Sequence, residues 1–108
     1  MAPSNLVPGT LDVLILKALS AGELHGLGIA RHIEQVTKGA FHVKPGSLFP
    51  ALYRMERAGW LRAAEGKTET RRDARYYTLT AKGRRQLEVE QEEWAGILAA
   101  LALALRTT

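Results

Sequence analysis

Apolar positions recur at helical spacing from the eleventh residue onward. Leu11, Leu14, Ile15, Ala18 and Leu19 stand at i, i+3, i+4, i+7 and i+8, one stripe of an α-helix. Thr10 in front of them is read as the N-cap. Asp12 falls in the first turn, where the helix dipole favours an acid, and Gly22 is read as the stop. A second helix is expected over about residues 25–37, with Ile29, Ile33 and Val36 inward and Gly39 ending it. Gly26 and Gly28 weaken its start, since glycine costs about 1 kcal/mol in a helix interior, but a small residue also admits a close neighbour. A third helix is expected over roughly 47–58, where Leu48, Leu52 and Met55 form the buried stripe and Gly59 closes the helix. With Ser47 as its N-cap, Pro50 would be third in the helix, where a missing N–H is no loss.

The period then changes. Residues 60–65 and 75–79 alternate like strands, the second rich in Tyr and Thr, and the polar, turn-prone stretch 66–73 lies between them. Two such strands make a hairpin with a basic tip, and three helices followed by that hairpin predict a winged helix-turn-helix, mainly α within the α+β class. Thr80 then caps a fourth helix reaching about Leu105, on the order of 37 Å long. It is too long to pack wholly against the rest of so small a chain. Leu87, Gln91, Trp94, Leu98, Leu101 and Leu105 follow an alternating 4-3 seam with one polar slot, and such a seam wants a partner helix. The expected organisation is a winged-helix DNA-binding domain over residues 1–80 and a dimerisation helix over 81–108, giving a homodimer.

Composition narrows the chemistry. The chain has 108 residues and no cysteine, which removes disulfides, thiolate nucleophiles and cysteine-held zinc. The first ten residues carry no basic stretch followed by an apolar one, so no signal peptide is expected. The longest apolar run, 97–105, is far short of the about 20 residues a spanning helix needs. No membrane is expected as a partner, and a cytoplasmic place fits the absence of cysteine.

The net charge of +4 is unevenly spread. Residues 1–40 sum to 0, residues 41–85 carry eleven basic groups against four acids for +7, and residues 86–108 sum to −3. A basic middle of this kind is the footprint of a polyanion-binding surface. The outer face of the third helix carries Phe49, Tyr53, Arg54 and Arg57, basic with aromatics interleaved. Major-groove reading needs hydrogen-bonding and apolar side chains on a helix, which Ser47, Phe49, Pro50, Tyr53 and Arg54 offer, with Lys44 at the entry. Phosphate positioning needs cations around it, and Arg57, Lys67, Arg71, Arg72 and Arg75 are the candidates. A dimer would read a pseudo-palindromic operator in double-stranded DNA. The alternative is a winged-helix module for protein–protein assembly, which accounts for the seam but not for the +7 middle.

No enzyme is expected. The chain has no Gly-rich phosphate loop, no Ser or Cys beside a His–acid pair, and no spaced metal ligands. His25 and His32 lack an acid or third ligand at metal spacing and are read as ordinary hydrogen-bonding histidines. No metal or cofactor is expected.

The same residues resemble the PadR family of bacterial transcriptional regulators, in its short members with a single C-terminal helix. The likeness rests on Gly9-Thr10-Leu11 with Leu14-Ile15-Leu16, His25-Gly26, and Gly46-Ser47-Leu48-Phe49-Pro50-Ala51-Leu52 with Arg54-Met55-Glu56 and Gly59. It continues through Arg71-Arg72, Arg75-Tyr76-Tyr77-Thr78-Leu79-Thr80 and Gly83. The resemblance implies a dimeric winged-helix DNA-binding protein, usually a repressor of a nearby operon, with the fourth helix dimerising. Leu27-Gly28 departs from the tyrosine common after the His-Gly pair, and Asp73-Ala74 separates the paired arginines from Arg75. In some short members a tryptophan on the last helix lines a dimer-interface pore for flat aromatic compounds. Trp94 falls at a matching position, as an effector site or as a filler of the seam.

Overall fold

The computed structural model describes residues 9–106. The stretch read for a leader therefore lies, up to residue 8, outside the described residues, as do the last two residues of the expected dimerisation helix. Helix α1 spans Thr10–Ala18 and runs into a 3-10 turn, Leu19–Ala21. Its N-cap is Gly9 and not Thr10. The Val13 N–H donates to the Gly9 carbonyl at 3.3 Å, which takes Thr10 into the first turn and leaves its hydroxyl no capping role.

Strand β1, Leu24–His25, is two residues long and pairs with a later strand. Alternation cannot be read in two residues, so the sequence pattern does not predict this strand. His25 then caps helix α2, Gly26–Val36, by accepting the Gly28 N–H on Nδ1 at 3.0 Å. Ile29 and Ile33 are fully buried, but Val36, expected inward, is exposed because the last turn of α2 runs past the edge of the core.

Helix α3 spans Pro45–Arg57, two residues longer at its start than expected. Lys44 stands at the N-cap and Pro45 at N1, the position where a fixed φ and a missing N–H suit a helix best. Ser47 is thus the third helical residue and not the cap. Pro50 becomes the sixth, inside the helix, where it withholds an N–H from the Gly46 carbonyl. Both residues are exposed, so water can serve that carbonyl.

Strands β2, Leu61–Lys67, and β3, Asp73–Leu79, pair antiparallel from Leu61↔Leu79 to Lys67↔Asp73, and the sheet order is β1-β3-β2. The expected loop over 66–73 shrinks to a tip over 68–72. Two local contacts carry the ladder outward. The absence of a side chain at Gly66 makes room for the Tyr76 ring, which a Cβ there would meet at 2.8 Å. Lys67 and Asp73 form an ion pair across the last rung.

Helix α4 spans Ala81–Arg106, about 39 Å at 1.5 Å per residue. Thr80 caps it, accepting the Gly83 N–H at 3.0 Å while its hydroxyl donates to the Gly59 carbonyl at 2.6 Å. Its first turns close the core. Ile15, Leu16, Ile29, Ile33, Leu52 and Met55 are fully buried at the centre, and Leu79 and Leu87 complete it from the wing and α4. Burying a side chain of this size contributes about 2 kcal/mol. The result is the expected winged helix-turn-helix with a long C-terminal helix.

Candidate nucleic-acid interface

Helix α3 buries Leu48, Ala51, Leu52 and Met55, which leaves its opposite face to solvent. Tyr53 and Arg57, one turn apart, occupy the middle of that face. Arg57 donates to the Tyr53 hydroxyl at 3.2 Å, and its guanidinium carbon lies 5.7 Å from the centre of the Tyr53 ring. The contact draws a cation over an aromatic face and holds both side chains outward. Pro50 and Ser47 are exposed on the same helix. Phe49 is half exposed, and its ring packs on Gly26 so closely that a Cβ there would meet it at 2.8 Å. The small residue expected to admit a neighbour does so.

The wing stands beside this face. Phe49, Tyr53, Glu56, Arg57, Arg75 and Tyr77 line an open cleft of about 550 Å³ between α3 and β3. Tyr77 is buried, and that burial, set against the nearby Arg75 charge, pushes its phenol above the ordinary tyrosine range. At the wing tip the Thr68 N–H donates to the Arg72 carbonyl at 2.8 Å and the Arg71 N–H to the Thr68 carbonyl at 2.9 Å. Arg71 takes a left-handed backbone, φ 63°, to make this turn.

The predicted cations fall into two groups. Arg54 meets Asp12 of α1 with both guanidinium arms, at 2.7 and 2.9 Å, and the hydrogen-bonded carboxylate raises its pKa above the ordinary arginine value. Arg75 meets Glu56 of α3 at 2.8 Å and Glu65 of β2 at 3.6 Å, with its pKa raised by the Glu56 hydrogen bond first. Lys67 is held by Asp73. Lys44, Arg57, Arg71 and Arg72 form no ion pair among the described residues and are exposed. Sequence reasoning passed over Arg31, which the fold brings to a crevice shared with Arg72, His25 and Leu27 between α2 and the wing tip. Its only signal was a helical position in a segment of zero net charge, which marked nothing.

The predicted seam residues also divide. Leu87 is 7% exposed and belongs to the chain's own core, so the open stripe starts beyond it. Gln91 is exposed, and Leu98, Leu101 and Leu105 are 61%, 52% and 83% exposed. Trp94 is half-buried, its ring lying over the start of α1, where a Cβ on Gly9 would sit 3.8 Å from it. Among the described residues no cluster of His, Asp and Glu could hold a metal ion, and no helix is long and apolar enough to cross a membrane.

Three helices, a hairpin wing and an exposed aromatic and basic helix face define a winged helix-turn-helix protein. The model of the transcriptional regulator PadR-like family matches residues 15–89, and the chain belongs to that family. It is a family of transcription regulators and not of enzymes. A transcriptional regulator from Clostridium thermocellum is 27% identical, with 93% of this chain and 95% of that one covered, at a TM-score of 0.77. A PadR family regulator from Clostridium difficile is 28% identical over 90% of this chain and 99% of that one, at 0.76. Bacillus subtilis PadR in complex with operator DNA shares the fold at a TM-score of 0.68, with 24% identity over 77% of this chain and 47% of that one.

Proposed function

We propose that this transcription regulator binds double-stranded DNA in a sequence-specific way as a homodimer and acts as a cytoplasmic repressor. The observation that carries the reading is the exposed Tyr53–Arg57 pair at the centre of α3, together with the exposed wing cations Arg71 and Arg72, which have no acid partner among the described residues. Helix α3 enters the major groove with Ser47, Phe49, Pro50 and Tyr53 toward the bases. Lys44, Arg57, Arg71 and Arg72 meet phosphates, and Arg31 joins Arg72 there. That Bacillus subtilis PadR, of the same fold, is found with operator DNA supports the reading. Residues up to 80 form the DNA-binding unit, closed by the first turns of α4, and the part of α4 beyond Leu87 pairs two copies on a pseudo-palindrome whose half-sites lie a helical turn or a multiple of it apart. Trp94 offers its ring to a small planar aromatic effector at that interface, which would release the DNA.

The test compares a duplex selected by the wild-type chain from a random-sequence pool with an unselected duplex of equal length. Tyr53→Ala is expected to weaken the selected duplex by about 1–3 kcal/mol more than the unselected one, because a base contact is lost. Equal loss on both would make Tyr53 a phosphate contact, and a wild-type chain that selects nothing would end the DNA reading.

A further inference from the structure

Arg54 is one residue from Tyr53 and therefore about 100° around the helix from it. That turn carries it off the groove-facing side and toward α1. The Asp12 carboxylate it meets lies 42 residues back in the chain and is only 15% exposed, whereas the Arg54 side chain is 57% exposed. Both oxygens of Asp12 are taken by the two guanidinium arms, at 2.7 and 2.9 Å. A fork-to-fork pair of this kind fixes orientation as well as distance. Asp12 belongs to the helix that packs against α4, and the carboxylate of Glu90 on α4 favours the same guanidinium charge. The fork thus joins the groove-facing helix to α1, which in turn packs on α4.

We infer that Arg54 is a positioning residue and not a base reader: through Asp12 it seats α3 on α1, and that seating sets which duplexes the chain prefers. The inference rests on the DNA reading above and deepens it. An arginine freed from Asp12 would be open to a base edge, so a reading role predicts an equal or higher preference on losing the acid where the positioning role predicts a lower one.

The experiment measures the ratio of affinities for the selected and unselected duplexes with Asp12→Ala, Arg54→Ala, the double variant and Asp12→Glu. Melting curves first check that each chain is folded, which the exposure of the arginine favours. Both single variants are expected to lower the ratio by about three- to tenfold, and the double variant no further, as for two members of one contact. Asp12→Glu, which keeps the carboxylate, is expected to stay near wild type. An Asp12→Ala ratio at or above wild type, losses that add, or an Asp12→Glu chain as poor as Asp12→Ala each overturn the positioning role while wild-type binding stands. A wild-type chain that prefers no duplex takes down the DNA reading and this inference together, and is seen before any variant is made.

Discussion

Gly83 and Gly96 are the same residue type on one helix in opposite surroundings. A Cβ on Gly83 would lie 2.1 Å from the Trp60 carbonyl oxygen, a backbone atom that cannot swing aside. The corner that holds it, Gly59 and Trp60, is tied to the cap of α4 by the Thr80 hydroxyl and by the Lys82 ammonium on the Ala58 carbonyl at 2.8 Å. Gly83→Ala must therefore push α4 off the wing or break that cap. We expect a loss of about 3 kcal/mol, which for a chain of this size lowers the Tm by more than about 10 °C. A Cβ on Gly96 would meet nothing within 4 Å beyond its own stretch of helix. Gly96→Ala should raise stability by about 0.5–1 kcal/mol, because alanine loses less backbone freedom in a helix. Thermal unfolding of the two variants side by side checks both signs, and a harmless Gly83→Ala would show that the corner is free to move.

At the scale of the element, the wing separates cations that sequence had grouped. Arg71 and Arg72 sit at the tip without acid partners among the described residues, while Lys67 shares its charge with Asp73. If the tip meets phosphates, log K falls with log salt by about 0.9 per phosphate neutralised. Replacing Arg71 and Arg72 by Ala should flatten that slope by up to about 2 units and weaken all duplexes alike. Lys67→Ala should change it less. A salt titration with an unchanged slope for the double variant would remove the tip from the contact surface. The wing also shows where legibility ended. Helical stripes announce α1 to α3, because burial imposes a period on eight or more residues at a time, whereas α4 is legible from an apolar stripe that stays exposed beyond Leu87. The tight tip was not legible, since Gly66 and Asp73 read as turn residues until Tyr76 and Lys67 are seen across the ladder. The start of α3 is not legible either, because Pro50 suggests a first turn that Pro45 in fact occupies. The outward face with Tyr53 and Arg57 was legible from the same stripe that buries Leu52. The acids that claim Arg54 and Arg75 were not, because Asp12 lies 42 residues from Arg54 and Glu56 lies 19 from Arg75. Pairings at that distance belong to the fold, and no local pattern carries them.

For the whole molecule the question is what covers the far end of α4. Leu98, Leu101 and Leu105 stand on one stripe and are more than half exposed, beyond the point where Leu87 joins the core. Soluble monomers rarely leave so long an apolar stripe in water. A second copy laid along it would remove that stripe from solvent and would hold two α3 helices at a fixed spacing, so self-association and affinity for a two-fold site should fall together. Leu98→Glu tests this, because by symmetry each chain would place a carboxylate against its mate's seam where water is scarce. The core is untouched, since Leu98 is 61% exposed in the single chain, so the variant should stay folded. Sedimentation should show it as a monomer at about micromolar concentration, where a buried like-charge pair outweighs the remaining contacts. Binding to a palindromic duplex should fall much more than binding to a half-site, although both wings are intact. Trp94→Ala separates the seam from an effector site. Its ring leans on the start of α1 and keeps part of its surface open, so the variant should remain dimeric. If planar aromatic compounds quench the wild-type tryptophan fluorescence by stacking on that ring, the Trp94→Ala chain should lose their binding. A Leu98→Glu chain that still sediments as a dimer would remove the seam, and with it any effector site placed there.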